Sequence, residues 1–410
     1  MKTGVPLFEL IRCLCGTVEL MDHGTASHHM RTAYIAASLA DELGLADENK
    51  ARLVLAASVH DLGSLALKRG AAERERPSDA GAALACFRLL RRFKPLSAAA
   101  EVVRYCFIPW NFGLGGTGPG GPVPEESHIL HLADRAAALA ERGGAGLSRK
   151  GEILDGAGEI FVPAQVEAFR ILAERESFWL DLSSRSLPAL LADRIRHYGF
   201  VTVPVDAAQL GLFFSDVINF RSPFTAGHSS GVAACAQALA GLAGFAPERQ
   251  LLMAVAGHAH DLGKLALPRG ILEKAGPLSA EETGIIRTHT YHTHRVLSTI
   301  PALAEVNEWA ALHHERLDGS GYPFRRKAGS LGTGSRIMAV ADVFSALSED
   351  RPYRRGLERG AALSIMRNMA CGSALDAGLV DLLEKNYGEI EHRRLLSQAA
   401  YLARCRDNGN

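Results

Sequence analysis

Residues 259–270 read AHDLGKLALPRG and residues 59–70 read VHDLGSLALKRG, identical at nine of twelve positions and offset by 200. The likeness extends outward from this pair. His28 stands 32 residues before His60, as His228 stands 32 before His260. Downstream, SHILHLADRAAALAE (127–141) parallels SRIMAVADVFSALSE (335–349), pairing Asp134 with Asp342. A fainter echo links GEIFVPAQVEAF (158–169) to GSALDAGLVDLL (372–383). Four ordered matches mark an internal duplication. The expected organisation is a first domain over 1–185, a linker over 186–205 and a second domain over 206–410. The Gly/Pro run GLGGTGPGGPVPEE (113–126) reads as a loop inside the first copy, because matched segments flank it.

The periodicity around the duplicated pair is helical. TAYIAASLADELG, RLVLAASVHDLG, GVAACAQALAGLAG and SRIMAVADVFSALSE are rich in Ala and Leu, with apolar residues three or four apart. Ser279 with Glu282 predicts a capping box opening a helix. Alternating strand-like stretches are scarce, with short β pieces expected only near Phe200–Val205. The fold class expected is all-α, as two tandem helical domains.

Composition narrows the functions. Lys+Arg and Asp+Glu both number 45, so there is no basic excess of the kind a nucleic-acid polymer attracts. A small anionic substrate remains open. The seven cysteines are scattered without a Cys-x-x-Cys pair, which reads as a reducing, cytoplasmic setting rather than a disulfide framework. The first residues lack the apolar run of a secretion signal, and no apolar stretch is long enough to span a membrane.

Eight of the sixteen histidines fall between 228 and 314. A single histidine in an apolar helix is ordinarily a core residue with a backbone partner. Here His260-Asp261 interrupts an Ala/Leu/Val helix, His313-His314 ends another, and Asp342 is the only ionisable residue in IMAVADVFSAL (337–347). A carboxylate buried there needs matching positive charge. Several imidazoles and two acids from different helices compose a site for two divalent metals. The absence of thiolate suits iron or manganese better than tetrahedral structural zinc.

The second copy resembles the HD-GYP family, a branch of the HD metal-dependent phosphohydrolases. The residues that carry the resemblance are His228, HDLGK (260–264), His289, HHERLDGSGYP (313–323) and VADVFSALSEDRPYR (340–354). The resemblance implies that His228, His260, Asp261, His289, His313 and Asp342 are metal ligands, with Asp261 bridging. His314 also matches a ligand position, either on an ion or beside one. Some relatives hold a third metal through a glutamate four residues before the first histidine; Phe224 stands there, so two metals are expected. Asp261 and Lys264 are then the catalytic pair, with Lys264, Arg351 and Arg354 facing the substrate's phosphates. Gly321, Tyr322 and Pro323 read either as a tight turn or as a substrate or partner loop in which Tyr322 stacks on a base. His258, His292 and His294 lie off the family pattern.

The first copy keeps His28, His60, Asp61 and Asp134, a vestigial set able to hold one metal. His29, beside His28, leaves that assignment open by one position. Ser64 replaces Lys264, the His289 region aligns with FRLLRRF, and YCFIPWNFGL replaces the HHE-to-GYP block. This copy is expected to regulate or dimerise rather than catalyse.

The function implied is hydrolysis of a cyclic dinucleotide, by default cyclic di-GMP with 3′,3′-cyclic GMP-AMP as the second candidate, through water activated by a dinuclear centre. Other signalling proteins are expected partners at the GYP loop. The rival readings are an HD phosphohydrolase for another nucleotide or phosphodiester, and a non-catalytic cyclic-dinucleotide-binding regulator.

Overall fold

In the computed structural model the described residues are 5–19, 28–66, 80–141, 150–199, 205–221, 227–350 and 355–407. Phe224, Arg351, Arg354 and most of the strand expected at 200–205 lie outside them. The chain divides into two compact units, one spanning Pro6–Val203 and one spanning Met1–Val5 with Pro204–Asn410.

The first unit contains α1 (Leu7–Glu19), α2 (His28–Glu42), α3 (Asp47–Val59), α4 (Ala80–Leu90), α5 (Ser97–Arg104), α6 (Glu125–Glu141), α7 (Gly151–Leu154), α8 (Pro163–Ala173), α9 (Glu176–Ser183) and α10 (Leu187–His197). The only ladder among the described residues pairs β1 (Thr117–Gly118) with β2 (Gly121–Pro122). It sits in the Gly/Pro run read as a loop, while the last residues of that run open α6. The stretch 186–205 is not an open linker: α10 fills most of it. Leu187, Leu191 and Ile195, at four-residue spacing, are buried, and Arg194 donates from Nη1 to the Ser38 hydroxyl on α2 at 2.7 Å.

The second unit contains α11 (Ala207–Arg221), α12 (His228–Leu242), α13 (Pro247–Ala259), α14 (Arg269–Leu272), α15 (Ala280–Leu297), α16 (Ala304–Ala311), α17 (Thr333–Ser348), α18 (Arg359–Cys371), α19 (Ala377–Lys385) and α20 (Tyr387–Asp407). Among the described residues no helix is long and apolar enough to cross a membrane. Among the described residues no cysteine forms a disulfide.

Each unit is built round one helix of small residues. In α12 Ser229, Ser230, Gly231, Ala233, Cys235, Ala236 and Ala240 are buried, and only a narrow line through Ala234, Gln237 and Gly241 is half-buried. Short side chains let neighbours come close: a Cβ on Gly257 of α13 would meet the Cα of Ala233 at 2.5 Å. α13, α17 and α20 all pack on α12. In the first unit α2 has the same character, with Ala33, Ala36, Ala37 and Ala40 buried, and α3, α6 and α10 pack on it. The capping box at α15 forms as expected: Ser279 Oγ accepts from Glu282 N at 3.1 Å, and Ser279 N donates to Glu282 Oε2 at 2.7 Å.

Both His-Asp pairs end a helix and lead into a 3-10 turn, His60–Ala66 after α3 and Leu262–Ala266 after α13. The glycine in each turn lies against the next helix. A Cβ on Gly263 would meet the His289 carbonyl oxygen at 1.9 Å, and one on Gly63 would meet the Ala82 carbonyl oxygen at 2.0 Å. This contact corrects the pairing of the copies. Gly263 and His289 are 26 residues apart, Gly63 and Ala82 only 19, so the first copy is seven residues shorter there. Carrying the offset of 200 forward therefore misplaces His289's counterpart in FRLLRRF; it is Ala82. The longer offset of 207 then aligns α5 with α16 and sets Cys106 and Phe107 against His313 and His314.

Candidate metal centre

Five elements of the second unit deliver the centre. α12 opens with His228, α13 leads into His260 and Asp261, α15 carries His289 at mid-length, α16 leads into His313 and His314, and α17 supplies Asp342. All except His314 are buried. Three of the imidazoles share a device. Nδ1 of His260 donates to the Gly257 carbonyl at 2.7 Å, Nδ1 of His289 to Ile286 at 2.7 Å, and Nδ1 of His313 to Ala310 at 2.6 Å. Each ring is tied to the carbonyl three residues back in its own helical turn. That bond fixes the proton on Nδ1 and leaves Nε2 with a bare lone pair pointing into the centre.

The consequence is sharpest between His289 and His313, whose Nε2 atoms lie 3.3 Å apart. Neither nitrogen has a proton to offer the other. Two lone pairs facing each other at that distance repel unless a cation lies between them. Burial pushes His289 down to about 3, against the pull of Asp261, and holds His313 well below the ordinary histidine value, with His314 and His260 adding to the effect. Both rings are thus neutral, with Nε2 free of a proton as a metal ligand must be.

The candidate ligand atoms fall into two groups, His228 with His260 and Asp261, and His289 with His313 and His314; within each they lie within 4.8 Å of one another. The two acids span them. Asp261 Oδ2 is 3.3 Å from His260 Nε2, and its Oδ1 is 3.5 Å from His289 Nε2. Asp342 Oδ1 is 3.3 Å from His228 Nε2 and 3.8 Å from His260 Nε2, while its Oδ2 is 3.8 Å from His314 Nδ1. Burial alone would raise both carboxyls. The neighbouring histidines, with Lys264 beside Asp261, outweigh it and hold both well below the carboxylate range. Lys264 Nζ donates to Asp261 Oδ2 at 2.6 Å.

The GYP loop lies against the same centre. The Tyr322 ring is 4.9 Å from that of His314, and the Arg287 guanidinium is 5.3 Å from the Tyr322 ring on its other contact. Gly321 admits no side chain, since a Cβ would meet Arg316 N at 2.4 Å. Buried Glu315 anchors the loop by accepting from Phe324 N at 2.7 Å and from Arg326 N at 2.9 Å. Glu315 and Glu349 are the residues that sequence reasoning missed. The first was visible as the E of HHE. The second is the closing residue of both matched segments, SALSE and AALAE. His258, off the family pattern, faces α11, its Nδ1 2.8 Å from the Ser215 hydroxyl. His294 lies outside, against Phe324 at 5.2 Å, and His292 neighbours Tyr291.

In the first unit His28, His60 and Asp134 converge. Asp134 Oδ1 is 3.0 Å from Nε2 of both histidines, and His60 Nδ1 donates to the Ala57 carbonyl at 2.8 Å. Burial opposes protonation of His28, but Asp134 and Glu141 together push it up to about 10. With Ala82, Cys106 and Phe107 standing where the second unit has histidines, one candidate ligand group is present among the described residues of this unit. His29, fully buried, is held well below the ordinary value by burial and by His60 and His28.

These two helical bundles, each carrying a His-Asp turn, define a tandem HD-domain protein. The HD domain pattern matches residues 25–139 and, in a second form, 213–379, so the chain belongs to the HD-domain family and carries the domain twice. It is 28% identical over 406 residues to the 3′3′-cGAMP-specific phosphodiesterase 1 of Vibrio cholerae, covering 93% of this chain and 92% of that one. A cyclic di-GMP phosphodiesterase of Thermotoga maritima is 44% identical over 97 residues, 23% of this chain and 26% of that one. The crystal structure of a cyclic GMP-AMP-specific phosphodiesterase of V. cholerae shares the fold, with a TM-score of 0.63 at 21% identity over 93% of this chain and 97% of that one.

Proposed function

We propose that the chain is a metal-dependent phosphodiesterase that opens a cyclic dinucleotide at the second unit's centre. The observation that carries this reading is the facing pair of Nε2 lone pairs at 3.3 Å, within a set of five imidazoles and two shared acids. His228, His260 and Asp261 would hold one divalent ion and His289, His313 and His314 a second, with Asp261 and Asp342 reaching both. Nitrogen and carboxylate donors without thiolate suit iron or manganese. When bound, two such ions supply charge neutralisation for the phosphate and activation of water.

The chain's own residues do the rest. Lys264 Nζ, at the edge of the acid cluster, carries the proton and charge for the leaving oxygen. The Tyr322 ring offers a flat face for a base, with Arg287 beside it for a phosphate. Arg351 and Arg354 extend the same role. Between substrates, 3′,3′-cyclic GMP-AMP comes first, because the relative named for it matches nearly the whole chain. Cyclic di-GMP comes second. The first unit, whose single ligand group lacks a lysine, serves regulation or dimerisation in this reading.

Purified protein loaded with manganese or ferrous iron, given each cyclic dinucleotide in turn, should release a linear dinucleotide resolvable by chromatography. Asp261→Ala should abolish release. Turnover without metal, or full turnover by Asp261→Ala, would overturn the proposal. Bound metal near two ions per chain is expected; three or more would count against a metal-free first unit.

A further inference from the structure

His228 is set differently from the other ligand histidines. α12 begins at His228, so its own helix has no carbonyl three residues back to hold Nδ1. Instead Nδ1 lies 2.9 Å from Glu349 Oε1 and 3.0 Å from its Oε2, while Nε2 faces Asp342 at 3.3 Å. Asp342 lies in the second half of α17, and Glu349, seven residues on, caps its C-terminus. Two helical turns put both carboxylates on one side of the helix. One helix thus addresses both nitrogens of one imidazole.

The carboxylate is itself braced. Gln398 Nε2 on α20 donates to Glu349 Oε2 at 3.4 Å, and buried Arg394 donates from Nη1 to Gln398 Oε1 at 2.7 Å. The first unit repeats the arrangement with other supports. His28 opens α2, its Nδ1 is 3.0 Å from Glu141 Oε1, and Arg31 Nη1 is 3.5 Å from the same oxygen. Glu141 follows Asp134 by seven residues on α6. This clamp persists where the counterparts of His289, His313 and His314 are gone, so it belongs to the first ligand group alone.

We infer that Glu349 is a positioning residue: it holds the proton of His228 on Nδ1 and turns Nε2 toward the ion position shared with His260, Asp261 and Asp342. A carboxylate behind a ligand imidazole fixes its tautomer and strengthens its donor nitrogen. The inference rests on the metal centre proposed above. It adds that one of the two ion positions depends on a residue outside the ligand set.

Manganese titration of the full chain, with free ion counted by electron paramagnetic resonance, separates the two claims. If the wild-type protein binds no manganese, the centre itself is refuted. If it binds and the clamp operates, Glu349→Ala should weaken one ion position about 10- to 100-fold and leave the other unchanged. Glu349→Gln keeps an acceptor for Nδ1 but loses the charge, and should weaken the same position by a smaller factor, about tenfold. Circular dichroism of the metal-free variants controls for folding, and the near-isosteric glutamine decides the matter if alanine unfolds. Wild-type affinity at both positions in Glu349→Gln, or equal losses at both, would overturn the inference.

Discussion

Asp261→Asn should uncouple the heat stability of the second unit from manganese. Asp261 reaches His260 Nε2 with one oxygen and His289 Nε2 with the other, at 3.3 and 3.5 Å. Asparagine keeps the shape and removes the charge from both ion positions at once. An ion that binds only the native state stabilises it by about 2.7 kcal/mol at a concentration 100 times Kd. In a unit of this size, 1 kcal/mol moves Tm by roughly 2–4 °C, so each saturated position should add roughly 5–11 °C. A hundredfold loss of affinity at the same manganese concentration brings ion and Kd level, leaving about 0.4 kcal/mol, or roughly 1–2 °C. Calorimetry in chelator and in manganese gives the increment for each protein, and comparing increments cancels any change in metal-free stability. An Asp261→Asn increment equal to that of the wild type would refute the reasoning that Asp261 serves both positions.

Gly263→Ala puts a methyl 1.9 Å from the His289 carbonyl oxygen; the forced separation of the turn from α15 should cost about 1–3 kcal/mol in urea unfolding and lower metal content with it. Glu315→Ala releases Phe324 N and Arg326 N, so kcat/KM for the cyclic dinucleotide should fall while manganese content, measured by elemental analysis, stays near two. The pH dependence of the first unit should be acid-sensitive through His131, which burial pushes down to about 4, against the pull of Asp134. Because the folded value lies below the unfolded one of about 6.5, the contribution is full above that pH and is lost as pH falls toward 4, at up to about 1.4 kcal/mol per pH unit. Urea midpoints at pH 7 and 4.5 should therefore converge in His131→Phe.

Much of the centre could be read from the chain because its ligands come in short motifs whose spacing is set inside one helix or turn. His260-Asp261 and His313-His314 are adjacent, and Asp342 is conspicuous as an acid in an apolar run. What stayed hidden depends on contacts between helices. Glu349 gains its meaning from His228, 121 residues away, and Glu315 from backbone amides of the loop that follows it. The true partner of His289 in the first copy is fixed by the packing of Gly63 on α4, which sequence offset alone could not register. The helix within 186–205 is hard to read from sequence for a related reason. Its four-residue apolar spacing is there in Leu187, Leu191 and Ile195, but what orders it is α2, far earlier in the chain.

The carbonyl tethers on His260, His289 and His313 also bear on how an ion is taken up. Ordering a free side chain costs on the order of 1 kcal/mol, and for these three rings the fold has met that cost before any ion arrives. Capture would then require no reorientation of these three rings, which are already buried, only a cation of fitting size that sheds its own water. Discrimination among divalent ions falls to donor type and geometry rather than to induced closure. A centre with donors fixed in this way would take its metal identity from the supply around it as much as from its own design.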